Sequence, residues 1–151
     1  MNAFVTAGAG FLLAVLWFDL MFDVQAIQHR ASRDLPDDVL ASIAGYYRRV
    51  TTAARPMNRL VAAAMLLTVA AIVVQIARGD GPAWAAWASL VLAGLAIGLA
   101  AAHTVPSAVR LGGRRDPADV QSRLARSILR DHLLCFAGIA SLLVIQLAFA
   151  D

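Results

Sequence analysis

The chain predicts an all-α fold. It reads as a polytopic membrane protein, a four-transmembrane-helix bundle with an amphipathic cytoplasmic helix between helices 1 and 2. Two observations carry this. Four apolar segments are long enough to cross a bilayer core of about 30 Å, which takes roughly 20 helical residues. And the basic residues are clustered. All 13 are Arg, and all but Arg78 fall in two stretches, Arg30 to Arg59 and Arg110 to Arg130. Cytoplasmic loops concentrate Arg and Lys. Both Arg-rich connections are therefore expected in the cytoplasm and both termini on the far side, in a bacterial inner (cytoplasmic) membrane. The chain is 60% hydrophobic with a mean hydropathy of +0.70, against about 45–50% apolar residues in soluble domains.

The first span, about residues 3–28, is unusual. Ala3 to Phe18 is uninterrupted, but at about 1.5 Å per residue that is only about 24 Å. The helix must continue through Asp19, then Asp23, to Gln28, which places Asp19 in or at the edge of the hydrocarbon. No basic n-region and no cleavage site mark a signal peptide, so this segment is expected to remain as a span. In the first connection Asp34 suits an N-cap, Pro36 the first turn, and Asp37 and Asp38 the positive helix N-terminus. Val39, Ile43, Tyr46, Tyr47 and Val50 recur near helical spacing, as in an amphipathic helix lying along the inner surface. Tyr46 and Tyr47 either cover the cytoplasmic mouth of the bundle or anchor the helix at the interface, and the anchoring role is the one expected.

The second span covers residues 60–77. In the turn that follows, Gly79 and Gly81 permit positive φ and Pro82 starts the next helix. The third span covers 83–105, with Trp84 and Trp87 at the outer interface. Pro106 either ends or kinks it, with Gly112 and Gly113 as the stop. Asp116-Pro117 resembles a cap and a first-turn proline, and from there one helix runs into the fourth span, 127–150. The chain is a single domain over 1–151.

Composition excludes some functions. The single cysteine, Cys135, excludes an intrachain disulfide and the paired-cysteine chemistry of four-helix disulfide-generating membrane enzymes. The net charge of +3 flanks membrane segments and signals lipid head groups, not nucleic acid. The composition, rich in Ala and with Arg but no Lys, suggests a GC-rich bacterial genome.

The candidate chemistry lies at one level. Asp19 and Asp23 stand one helical turn apart on a shared face. An acid within a span needs a partner or a proton. Four readings stay open: a proton-handling pair, a pair of metal ligands, a cation site, or an ion-pair anchor to Arg55 and Arg59. His103 closes the third span and His132 opens the fourth, at similar depth. They are candidate ligands for a haem iron or, with the acids, another metal ion. The same His residues serve equally as interfacial hydrogen-bonding groups. Asp19, Asp23 and His132 are the candidate acid–base groups. Arg55, Asn58, Arg59 and Arg130 are candidates for binding a substrate, and Asp131 joins them at the rim. Arg123, Arg126 and Arg130 form one stripe, suited to head groups or to an anion. Gly94 and Gly98 form a G-x-x-x-G that admits a close helix, within the bundle, in a homo-oligomer or from a partner subunit.

Thr104-Val105-Pro106 closing the third helix, Leu111 after it, and Arg126 followed by His132 make the last third similar to the anthrone-oxygenase-like family of small four-helix membrane proteins. Ser127 stands where that family tends to place Trp. The resemblance implies an oxidative role with His132 near the site. The function expected is a small integral membrane protein with an Asp/His/Arg polar site that binds a small amphipathic molecule or cofactor. The alternatives are an accessory subunit of a larger membrane complex and a small proton-coupled transporter.

Overall fold

The computed structural model describes residues 2–53 and 55–149, without the side chain of Arg55. The Arg55 side chain and Ala150, the expected end of the fourth span, thus lie outside the described residues. The described chain is helical throughout: α1 (Asn2–Asp23), α2 (Gln25–Gln28), α3 (Asp37–Arg48), α4 (Arg55–Arg78), α5 (Ala83–Leu99), α6 (Val105–Gly112) and α7 (Ala118–Ala148). Four helices are long and apolar enough to cross a membrane. They form a ring in which α1 packs on α4 and α7, and α5 packs on the same two. Large apolar side chains such as Phe4, Leu66, Leu67 and Leu95 point outward, as expected of helices that meet lipid rather than water.

The short Gly-containing turn makes the α4–α5 pair antiparallel. Gly79 and Gly81 have φ of +68° and +80°, a region Gly enters without steric cost. The helix start in the first connection differs from the expectation at Asp34. Pro36 occupies the cap, and α3 begins at Asp37 with Asp37 and Asp38 in its first turn. Proline's fixed φ suits the position that enters a helix. Nor does α3 lie free on a surface. Val39, Leu40, Ile43, Ala44 and Tyr47 are buried and form, with Leu111, Ala125 and Ile128, a core at the Arg-rich end. The apolar face of α3 is covered by α6 and α7, so α3 caps the bundle.

Pro106 neither ends nor sharply breaks the third long helix. The chain passes through a π-helical turn, Ala100–Thr104, directly into α6. A second π turn, Arg49–Ala53, precedes α4 and Pro56. Proline lacks an N–H and its ring crowds the preceding turn, and a widened turn accommodates both. The helix stop also differs in detail. Gly113 keeps φ at −73°, and the left-handed residue is Arg114 at +46°. Its guanidinium is anchored on Asp37 of α3.

The far half holds a second core, with Val5, Ala9, Ile72, Ala93, Ile139 and Leu142 buried. Beyond it lies a polar layer that periodicity did not flag. Gln75 and Gln146 face each other at 3.3 Å through reciprocal amide hydrogen bonds. Gln75 Nε2 also donates to Asn2 Oδ1 at 2.7 Å, and Gln146 Nε2 donates to Ser89 Oγ at 2.9 Å. One residue from each of the four long helices is tied in, which satisfies polar groups that would be costly in hydrocarbon.

Candidate functional site

At the Arg-rich end of the bundle, α1 continues past its apolar run and presents Asp19 and Asp23 to the interior. Asp23 is fully buried. Its Oδ1 accepts a hydrogen bond from the Tyr47 hydroxyl at 2.6 Å, and its Oδ2 lies 2.7 Å from His132 Nδ1. A carboxylate accepting at both oxygens assigns the proton to Nδ1 of His132. That leaves Nε2 as the reactive nitrogen. Nε2 lies 3.7 Å from Asp19 Oδ2, and Asp19 Oδ1 accepts from the Tyr46 hydroxyl at 2.6 Å. Two acids, two phenols and one imidazole form a single connected cluster.

The cluster closes one end of a cavity of about 350 Å³. The polar lining residues are Asp19, Tyr46, Tyr47, Thr51, Asn58, Thr104 and His132. Leu12, Leu16, Phe18, Val61, Met65 and Ile139 line the apolar remainder. The cavity has structural causes. Val50, Thr51, Ala100 and Thr104 come from the two π turns, and Ala96, Ala100 and Ala108 leave room where larger side chains would fill it. Phe18 and Met57 line the cavity and are also more than half exposed on the outer surface, so the opening faces the flank of the bundle.

Tyr46 and Tyr47 are thus site residues, where an interfacial anchoring role was expected. Their i, i+1 placement puts one ring on Phe22, with centroids 4.1 Å apart, and the other wholly in the core. Only the inward polarity of the acids on α1 signals this in the sequence. Burial, followed by the negative charge of the acids, raises both phenols above their ordinary pKa. The sign follows. The unfolded chain releases phenolic protons near pH 10 while the folded chain retains them, so stability is lost as pH rises beyond that point. These are the only two tyrosines. The native protein should show almost no phenolate absorbance at pH 10, and the signal should appear together with loss of helix. A half-ionised spectrum at pH 10 in the folded protein would contradict these contacts.

The other candidates fall in different places. His103 and His132 do not share a site. His103 Nδ1 pairs with Asp131 Oδ2 at 2.5 Å, its side chain is 48% exposed, and it is not part of the cavity wall. The cavity wall contains His132 and not His103, so the two imidazoles do not face one common space that a haem ligated by both would fill. Among the described residues no group of three His, Cys, Asp or Glu side chains is placed to hold a metal ion. Asp131 is buried and also accepts from Thr104 Oγ1 at 3.3 Å. Asn58 lines the cavity and donates to the Thr51 carbonyl at 3.3 Å. Arg59 is exposed. Arg130 is exposed too, 3.8 Å from Asp131 Oδ1. Arg126 serves the first connection: its guanidinium donates to the carbonyls of Ser32 at 2.6 Å, Arg33 at 2.8 Å and His29 at 3.3 Å. Among the described residues Gly94 and Gly98 approach no other helix closely, for a Cβ added at either would meet nothing within 4 Å.

Comparison with protein-family models, with curated proteins and with solved structures finds no match for this chain.

Proposed function

We propose that this is an integral protein of a bacterial inner membrane that holds a small amphipathic molecule in the cavity between its helices. The Arg-rich connections then lie in the cytoplasm, both termini lie outside, and the ligand enters from the inner leaflet. One observation carries the reading: a largely apolar cavity of about 350 Å³ ends on Asp19 and His132. Concave apolar sites with a few convergent polar groups are the usual form of a small-molecule site. If the molecule is transformed, His132 is the group positioned to move its proton, with Asp23 fixing the tautomer and Asp19 balancing the imidazolium. In an oxidation of the kind implied by the resemblance to the anthrone-oxygenase-like proteins, that nitrogen would take only the proton, and a separate oxidant such as dioxygen would have to take the electrons. A proton-coupled carrier needs a path through the far half. The packing of Val5, Ala9, Ile72, Ala93 and Leu142 there weighs against it.

The test is the organic extract of the protein purified in mild detergent, compared with that of Ala100→Phe. Ala100 lines the cavity, and an added ring would occupy it. The expected result is a small amphipathic species retained near one per chain by the parent and lost from the variant, with helix content unchanged. Identical extracts would overturn the proposal. A second reading, an accessory subunit or homo-oligomer, is favoured by the open Gly94–Gly98 face.

A further inference from the structure

We infer that the molecule held in this cavity carries a cationic, amine-type head, seated on Asp19 with the Tyr46 and Phe18 rings beside it. This rests on the cavity-binding reading and names its ligand class.

The argument begins with charge. Asp19 and Asp23 lie on one cluster, and the side chain of buried Asp131 is one residue from His132. Among the described side chains, the cations in contact with Asp19 and Asp23 reduce to His132. Of the described guanidiniums, Arg126 is engaged on backbone carbonyls and Arg130 stands beside Asp131. Among the described side chains, if both acids are ionised, two carboxylates share one positive charge even with His132 protonated. Excess negative charge away from water is costly and is relieved by a proton or by a cation, and a cationic ligand supplies the second.

Geometry then selects Asp19 as the seat. Asp23 is fully enclosed, with both oxygens engaged by Tyr47 and His132. Asp19 lines the cavity. Its Oδ1 is occupied by Tyr46, and its Oδ2 stands 3.7 Å from His132 Nε2. That gap is too long for a hydrogen bond, but one polar atom can sit within bonding reach of both sides. An ammonium donates to Asp19, with the Tyr46 and Phe18 side chains in the same cavity wall. The apolar wall of Leu12, Leu16, Val61 and Ile139 would take the hydrophobic body. An anionic head would meet two carboxylates. A neutral hydroxyl would leave the charge unbalanced.

The experiment uses two probes matched in shape, 4-phenylbutylamine and 4-phenylbutanol. Binding is measured by calorimetry to the full-length protein in phosphatidylcholine nanodiscs, with empty discs as the blank. The amine should bind at least tenfold more tightly than the alcohol. Asp19→Asn should erase that preference while Asp19→Glu retains it, and Ala100→Phe should abolish binding of both. Equal binding of the two probes overturns the cationic head and leaves the cavity reading standing. Preference surviving in Asp19→Asn overturns the seat. If neither probe binds the parent protein once any co-purified ligand has been extracted, the cavity reading fails with it. Retention in Asp19→Glu guards against mistaking a misfolded Asn variant for a loss of charge.

Discussion

Replacing Asp23 with leucine is expected to destabilise the protein by about 3–5 kcal/mol, the range for removing one partner of a buried, hydrogen-bonded charge pair. Asp23 is fully buried and is the common acceptor for Tyr47 at 2.6 Å and His132 at 2.7 Å. Its loss leaves a phenol and an imidazole N–H without their partner deep in the bundle, each with a desolvation penalty. Asparagine is no remedy, because its amide nitrogen donates and cannot accept the second hydrogen bond. Asp19→Leu is the internal control. Its partner Tyr46 is only partly buried and borders a cavity, so about 1 kcal/mol is expected, the size of a single ordinary hydrogen bond. The ordering can be read from apparent unfolding midpoints of both variants in the same detergent. If Asp19→Leu proves the more damaging, the cluster is organised around the wrong acid. A further signature separates the two. Asp23→Leu should also release the His132 tautomer, visible in its ring nitrogen shifts, whereas Asp19→Leu should leave Nδ1 protonated.

Four long apolar helices were legible in the sequence because a bilayer crossing would need about 20 apolar residues, and segments of that length and polarity stand out. The level of the site was legible for the same reason. An acid at position 19 of a helix that starts at Asn2 has to be accommodated by something. The identity of that something was not. Hydropathy reports how far along the helix a residue lies, not which neighbour it meets. His103 and His132 were read as lying near one level, and each turns to a different carboxylate. That choice is made by the rotation of α5 and α7 about their axes. The role of α3 was hidden by a similar degeneracy. A helix with one apolar face looks the same whether that face meets lipid or protein, and here it meets α6 and α7. The Gln75–Gln146 layer escaped notice because isolated amides in an apolar run carry no period. Arg126 shows the converse: as part of an arginine stripe it reads as a head-group anchor, while its contacts hold the carbonyls of residues 29–33.

The glycines give the second large expected effect, since they divide into two groups with opposite consequences. A Cβ at Gly112 would lie 2.8 Å from the Arg48 backbone nitrogen and 3.0 Å from its Cα. Neither atom can move without shifting α3 as a whole, because Ile43, Ala44 and Tyr47 are locked in the core. Gly112→Ala should therefore cost about 1–3 kcal/mol, the usual range for overpacking. The damage should reach the site as well. Pushing α3 off α6 draws Tyr46 and Tyr47 away from Asp19 and Asp23, so the phenols should begin to ionise nearer their ordinary pH before the helices melt. Gly94 and Gly98 are the opposite case. Both sit in α5 with open space where a Cβ would go. Alanine there should leave an isolated chain unchanged or more stable by about 0.5–1 kcal/mol, the helix penalty of glycine removed. If a second helix docks on that face, the same change would instead weaken association, because small residues permit the close approach. Measuring stability and oligomeric state together separates the outcomes. A stabilised chain with unchanged mass means that lipid covers the face. A lowered mass means that another helix does. If Gly112→Ala were tolerated as well as Gly98→Ala, the α3–α6 crossing would not be the contact that holds the two tyrosines over the acids.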